Sequence, residues 1–269
     1  LVVIAHWLSI RSPVRIDSPA GIWLVAITSL GVLAALYKLV LYPFIASHGV
    51  YRVVATEAGP SALRLELEPV RRGISFEPGQ FGFLRMKEDG LREPHPFTIA
   101  SAGANGRVQF MIRSLGDYTA QLVKRVEPGM QADIHGPYGR FTRHPGAARE
   151  IWIAGGVGIT PFLAWLDDQQ ATGLERATLF YFHTPGRTFP AVEELERLAK
   201  SRGVELVAVA SSPASPEFCN KVAELTTAGA DSVQVSFCGP EGLLAAAQEQ
   251  LRKCGIPPSA VQFERFEFR

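Results

Sequence analysis

The chain has 269 residues, and its 27 basic and 26 acidic side chains give a formal net charge of +1 at pH 7. This balance, with no run rich in lysine or arginine, argues against a nucleic-acid partner, and the length suits two folded domains better than one. The three cysteines, Cys219, Cys238 and Cys254, lack metal-ligand spacing and cannot all pair as disulfides, which favours a reducing compartment.

Near the N-terminus, residues 20–37 form an uncharged stretch in which only Thr28 and Ser29 are polar. A stretch of about 18 or more such residues is typical of a transmembrane helix. Trp23 and Tyr37 near its ends fit the aromatic residues found at membrane interfaces. A signal peptide or a buried helix is the alternative, but no basic leader region or A-x-A-like cleavage site is evident. We therefore predict a membrane span.

The apolar residues 1–8 are too short to cross a bilayer and are interpreted as the end of another span whose beginning is missing. Residues 1–46 are thus predicted to be the C-terminal end of a membrane domain, with residues 10–19 as the connecting loop. Basic residues flank both ends of the predicted span, so they do not determine its orientation. The unpaired cysteines place the folded body on the cytoplasmic side.

From Val50 onward, short alternating segments are separated by Gly- and Pro-containing turns, which is typical of half-buried strands. The predicted strands are residues 51–55, 62–68, 81–87, 97–101 and 107–113. One helix is predicted at residues 118–126. Closely spaced short strands with little helix predict a small antiparallel β-barrel over residues 47–146.

After Gly146 strands and helices alternate, and this pattern predicts a parallel sheet with helices on both faces over residues 147–269. The predicted strands are residues 151–154, 177–182, 205–210, 232–238 and 261–268. The predicted helices are residues 161–170, 191–200, 218–226 and 241–253.

The first strand of this second domain leads into the glycines Gly155, Gly156 and Gly158. Glycine lets the backbone turn sharply and approach a ligand, and the N-terminus of the following helix favours a pyrophosphate. We predict Thr160 at the N-cap of that helix and Pro161 at its first position. Taken alone, the pattern fits a simple tight turn equally well.

Five motifs occur in an order that resembles the ferredoxin–NADP reductase superfamily. They are His95-Pro96-Phe97-Thr98, Ile112-Arg113 with Gly116 and Thr119, Gly136-Pro137-Tyr138-Gly139, the Gly155–Pro161 loop, and Cys238-Gly239-Pro240. Within that superfamily, the His-Pro-Phe-Thr variant and the preceding span are similar to the dehydrogenase region of NADPH oxidases and ferric reductases. The resemblance implies a two-domain α+β and α/β reductase with an antiparallel FAD-binding barrel followed by a parallel-sheet nucleotide-binding domain.

The resemblance also implies which residues hold the FAD. The flavin ring is expected against His95, Pro96 and Phe97, with the hydroxyl group of Thr98 facing it. The pyrophosphate is expected at Ile112-Arg113, Gly116 and Thr119, where arginine offers a planar fork of donors. His95 stands where the commoner motif has an arginine, so its charge depends on protonation.

The resemblance implies a nicotinamide cofactor, NADPH with NADH as the alternative. It is expected at the carboxyl edge of the parallel sheet, against the Gly155–Pro161 loop and Cys238-Gly239-Pro240. Arg187 is the candidate contact for a 2′-phosphate, although a solvated loop arginine is equally plausible. The resemblance implies an aromatic ring that covers the flavin; we predict Phe268, with Phe266 as its rival. Thr98, Cys238 and Phe268 are the predicted catalytic residues.

His6 is the candidate ligand of a haem b held mostly by residues outside this chain. The resulting prediction is a membrane-attached flavoprotein that passes electrons from NADPH through FAD to haem, and then to oxygen or ferric iron. Membrane lipid is a further expected partner, nucleic acid is not, and a homo-oligomer is left open. The alternatives are a soluble-type NAD(P)H reductase that feeds a protein acceptor, and a non-catalytic membrane-anchored nucleotide-binding protein.

Overall fold

The computed structural model of the chain describes residues 18–37, 39, 48–60, 62–103, 106–227 and 229–264. The helices are α1 (Pro19–Leu36), α2 (Asp117–Arg125), α3 (Thr160–Asp167), α4 (Val192–Ser201), α5 (Pro216–Leu225) and α6 (Glu241–Lys253). The strands are β1 (His48–Ala58), β2 (Ala62–Pro69), β3 (Phe81–Met86), β4 (His95–Thr98), β5 (Val108–Arg113), β6 (Gln131–Tyr138), β7 (Arg149–Gly155), β8 (Ala177–Phe182), β9 (Glu205–Val209), β10 (Val233–Cys238) and β11 (Val261–Glu264).

Helix α1 coincides with the predicted membrane span. The Ser18 side chain accepts a hydrogen bond from the Gly21 N–H at 3.1 Å and caps the helix N-terminus. With a mean hydropathy of 1.9 and 6% of its residues buried, it is the one helix in the described part of the chain that is long and apolar enough to cross a membrane. Residues 1–47 and 48–269 form separate compact units, and α1 belongs to the first.

The antiparallel sheet of the second unit has the strand order β4-β3-β6-β1-β2-β5. An isolated bridge between Ile99 and Phe110 joins its two edges into a near-barrel. Strand β6 lies at the centre of this order, although its sequence pattern does not predict a strand. Asp133 and His135 interrupt its apolar pattern, but Ala132 and Ile134 point into the barrel core and are fully buried.

The parallel sheet has the strand order β11-β10-β7-β8-β9. Strand β7 is central, and the chain moves from it first to β8 on one side and later to β10 on the other. The carboxyl ends of β7 and β10 therefore lie side by side at a topological switch point, where parallel sheets bind ligands. The predicted last strand, residues 261–268, is described as far as Glu264.

One cluster of buried apolar side chains spans the junction between the two sheets and includes Met111 of β5, Phe141 in the loop after β6, and Trp152 of β7. The indole N–H of Trp165 donates to the Pro78 carbonyl across this junction at 3.0 Å. Arg143 forms a buried ion pair with Glu150 at 2.8 Å. Because the apolar packing and these polar contacts both cross the junction, the barrel and the parallel sheet have a fixed relation.

Candidate active site

A cavity of about 400 Å³ lies between the barrel and the glycine loop after β7. Small-molecule sites typically measure about 300–1,000 Å³. Eight of the predicted site residues line it, namely His95, Pro96, Phe97, Thr98, Arg113, Gly116, Thr119 and Thr160. Five further lining residues were not among the predicted site residues: Met111, Leu115, Asp117, Tyr118 and Val157.

Thr98 ends strand β4 at the wall of this cavity. Its side chain is 4% exposed, and its hydroxyl oxygen has no hydrogen-bond partner among the described residues. A buried hydroxyl group without a partner costs about 1–3 kcal/mol. Such a group on a cavity wall is available to a ligand, and it fits the polar edge of a flavin ring.

His95 lines the cavity, and its side chain packs against a neighbouring ring. Its ring stacks on that of Tyr118, with 3.7 Å between the ring centroids and 22° between the planes. Its Nε2 lies 3.5 Å from a carboxylate oxygen of Glu93, but it makes no hydrogen bond with the described residues. Burial, together with the nearby Glu93 carboxylate, raises the pKa of Tyr118 to about 12. The tyrosine is therefore neutral, and the pair offers a flat wall.

The predicted pyrophosphate residues take different positions. Arg113, at the end of β5, lines the cavity and is the cation that fits a phosphate. The Thr119 hydroxyl group accepts hydrogen bonds from the N–H groups of Leu115 and Gly116, both at 3.0 Å, and so stabilises the turn before α2. Ile112 is fully buried in the barrel core and does not line the cavity, in contrast to the sequence-based expectation. The neighbouring Met111 lines it instead.

The glycine loop differs in detail from the prediction. Gly156–Ile159 form one turn of 3₁₀ helix, and the N-cap of α3 is Ile159, so Thr160 and Pro161 are already inside the helix. The Thr160 hydroxyl group donates to the Val157 carbonyl and does not cap the helix. A Cβ atom on Gly158 would lie 2.2 Å from the Cys238 carbonyl oxygen. The loops after β7 and β10 are therefore in direct contact at the switch point.

Cys238 lies at this edge beside an acidic residue that the motifs did not indicate. Its thiol is fully buried, and its pKa is raised well above the usual value, first by burial and then by the Glu264 carboxylate. A thiol in this state is protonated and suits packing against a ring better than nucleophilic attack. Glu264 faces Cys238 in the β10–β11 register, and its Oε2 has no hydrogen-bond partner in the described part of the chain. In the alternating sequence Val261-Gln262-Phe263-Glu264 a glutamate is ordinary, so no local sequence signal singled it out.

Burial raises the pKa of Glu264 to about 7 from its usual value of 4.5. The folded state then binds more protons than the unfolded state between these two values, so the free energy of unfolding falls as the pH rises through this window. We expect Glu264→Gln to remove this slope and to exceed the wild type in stability by about 1–3 kcal/mol above pH 7. Urea denaturation of both proteins between pH 5 and 8 measures the difference, and parallel curves would contradict the prediction.

A second, smaller cavity of about 50 Å³ adjoins the first. Arg113 and Gly156 line it on one side, and His183 and Arg187 line it on the other. The Nδ1 atom of His183 is buried and has no hydrogen-bond partner among the described residues. Two guanidinium groups around one small space form a suitable site for a phosphate. Arg113 belongs to both cavities and so connects the two predicted cofactor positions.

The remaining predicted residues Gly155, Pro161, Gly239 and Pro240 lie at or beside the contact between the two loops. His6, Phe266 and Phe268 fall outside the described residues, so the haem ligand and the covering aromatic ring stay predictions. Within the described part of the chain, no group of three or more His, Cys, Asp or Glu side chains could hold a metal ion.

The chain is similar to several known proteins. The sequence profile of an FAD-binding domain matches residues 52–146. The chain is 29% identical over 219 residues to the reductase component of propane 2-monooxygenase from Rhodococcus jostii, covering 75% of this chain and 59% of that protein. It is 30% identical over 129 residues to NADPH oxidase 1 from Mus musculus, covering 44% of this chain and 22% of that protein.

Among solved structures, the Amycolatopsis cytochrome P450 reductase GcoB has a similar fold, with a TM-score of 0.67 and 18% identity over 82% of this chain and 70% of that chain. The chain spans 44–62% of the length of the first curated relatives that it matches.

Proposed function

We propose that this chain, whose residues 52–146 match an FAD-binding domain, is an NAD(P)H-dependent flavin reductase of the ferredoxin–NADP reductase superfamily. Bound FAD would accept two electrons as a hydride from the nicotinamide and pass them on one at a time. The observation that carries the proposal is Thr98, which lines a cavity of about 400 Å³ together with Arg113 and whose buried hydroxyl group has no partner among the described residues.

In this proposal each residue performs a separate task. The Thr98 hydroxyl group donates to the polar edge of the flavin ring, and Met111 with Val157 gives apolar cover. The Arg113 guanidinium binds the pyrophosphate as a fork. Cys238 bounds the place where the nicotinamide ring meets the flavin, since it lies at the switch point of the parallel sheet.

NADPH is the proposed donor, and Arg187 is the proposed contact for its 2′-phosphate. A charge-assisted hydrogen bond to a phosphate contributes roughly 1.5–3 kcal/mol. We therefore expect Arg187→Ala to raise the KM for NADPH about tenfold, and to raise the KM for NADH much less. Steady-state kinetics with both cofactors test this, and equal changes would leave Arg187 as an ordinary loop residue.

We propose that the electrons leave the flavin for a protein acceptor. The similarity to a monooxygenase reductase component, which extends over 75% of this chain, supports this assignment. The second candidate is the route through haem to oxygen or ferric iron at a membrane. The apolar helix α1 and the partial similarity to NADPH oxidase 1 favour that candidate.

The test uses the full chain purified in detergent, reconstituted with FAD and titrated anaerobically with NADPH. The proposal predicts a bound flavin that NADPH reduces and that then reduces a protein acceptor such as cytochrome c. Rapid oxidation by oxygen or ferric citrate without a protein acceptor would favour the membrane route instead. A protein that binds the nucleotide and holds no reducible flavin would be a nucleotide-binding protein, and the proposal would fail.

A further inference from the structure

The loop of residues 184–190, which connects β8 to α4, carries Thr184 and Arg187 into the second cavity. Gly186, at a φ of 75°, forms its tight turn, in which the Arg187 N–H donates to the Thr184 carbonyl at 3.0 Å. The position of this loop therefore decides where the Arg187 backbone stands relative to Arg113 on the barrel.

The side chain of Arg64, on the barrel, contacts the end of this loop. Arg64 on β2 forms ion pairs with Glu57 on β1 at 2.8 Å and with Glu194 in the first turn of α4 at 2.7 Å. Its guanidinium carbon also lies 5.2 Å from the centroid of the Phe189 ring. The Arg64 side chain is only 23% exposed, so these contacts are partly shielded from water. A single arginine thus joins the barrel, the loop and the helix that follows the loop.

A further contact holds the same ring. A Cβ atom on Gly59, in the turn between β1 and β2, would lie 2.2 Å from Phe189 Cδ2, so the backbone packs directly on the ring. Phe189 itself lines the second cavity, together with Tyr181. Phe189 is 8% exposed as a result. The end of the loop is therefore anchored on the barrel.

The strand that provides this anchor also borders the site. Ala62, two residues before Arg64 on β2 and so on the same face of the strand, lines the second cavity. In the β2–β5 register Ala62 faces Arg113, and Arg64 faces Met111. A short section of β2, from Ala62 to Arg64, thus connects the strand that carries Arg113 to the loop and determines the distance between them.

We propose that Arg64 is a positioning residue for the nicotinamide cofactor. By tying residues 184–190 to the barrel, it holds Arg187 at the second cavity before the cofactor arrives. This inference rests on the proposed function, since it assigns a role at the same site. Without Arg64 the loop must be ordered during binding, and that ordering weakens affinity without altering the reacting groups.

The test follows anaerobic flavin reduction by NADPH in the full chain reconstituted with FAD. Arg64→Met keeps the aliphatic stem of the side chain and removes its charge. We expect the apparent Kd for NADPH to rise about tenfold, with the limiting reduction rate changed less than about twofold and the flavin content unchanged. Arg107→Met is the matched control, because Arg107 also pairs with two glutamates, Glu66 and Glu68, but only within the barrel; this variant should behave as the wild type.

A double-mutant cycle identifies the route of the effect. If Arg64 acts through the loop, the Arg64→Met, Arg187→Ala double variant should bind NADPH about as weakly as Arg187→Ala alone. Glu194→Gln should reproduce part of the loss, and it tests the same contact if Arg64→Met fails to fold. An unchanged Kd in both single variants, fully additive losses in the cycle, or equal losses of flavin and limiting rate would overturn the inference. A wild-type flavin that NADPH does not reduce would instead refute the proposed function.

Discussion

Arg113→Ala should lower the affinity for FAD by roughly 10- to 100-fold, because it removes the charge-assisted hydrogen bonds proposed for the pyrophosphate. Arg113 is the arginine common to the two cavities, so NADPH oxidation should fall as well. Fluorescence titration with FAD measures the first effect, and turnover with an artificial acceptor measures the second. Arg113→Lys keeps the charge but not the planar fork, and it should recover only part of the affinity.

Arg107 provides the control for this experiment, since it lies just before the same strand and pairs on the surface with Glu66 and Glu68. Arg107→Ala should retain the affinity for FAD. The companion variant Thr98→Val removes the buried hydroxyl group, so it should stabilise the flavin-free protein by about 1 kcal/mol and weaken FAD binding. Full flavin content and activity in an Arg113→Ala, Thr98→Ala double variant would refute the site assignment.

Gly158→Ala should disrupt the edge of the parallel sheet. The new Cβ atom would lie 2.2 Å from the Cys238 carbonyl oxygen and 3.0 Å from the Gly239 Cα, and both are backbone atoms that cannot rotate away. The two loops must separate, which we expect to cost about 1–3 kcal/mol of stability. Because these loops form the proposed nicotinamide site, the apparent Kd for NADPH should rise at least about tenfold.

Gly242→Ala is the matched control for this substitution. Gly242 lies in the first turn of α6, near the same edge, and an added Cβ atom would meet nothing within 4 Å. Alanine is favoured over glycine in a helix by up to about 1 kcal/mol, so this variant should be as stable as the wild type or more so. Denaturation curves and NADPH titrations of both variants compare the effects. A Gly158→Ala protein that matches its control in both would show that the loops are not closely packed.

The sequence by itself determined the architecture and most of the cavity lining. Strand and helix periodicity is local, so alternating segments located β1 to β5, and the later strand–helix alternation located the parallel sheet. The motif around Thr98 and the position of Arg113 were identified through the resemblance to the ferredoxin–NADP reductase superfamily, which short stretches of the chain carry. Strand β6 was missed because Asp133, which is polar, occupies a nearly buried position of the barrel. Only the barrel explains this burial, since Arg85 on β3 and Lys87 directly after β3 form ion pairs with the Asp133 carboxylate.

The tertiary structure decided which residues of each motif face the ligand and which serve the fold. Ile112 points into the barrel core and Met111 into the cavity, although the two are adjacent in the sequence. Glu264 became a candidate only when β11 placed it beside Cys238. The Arg64–Glu194 pair joins residues 130 positions apart. No local periodicity encodes such a contact, because it depends on how two separately patterned sheets pack together.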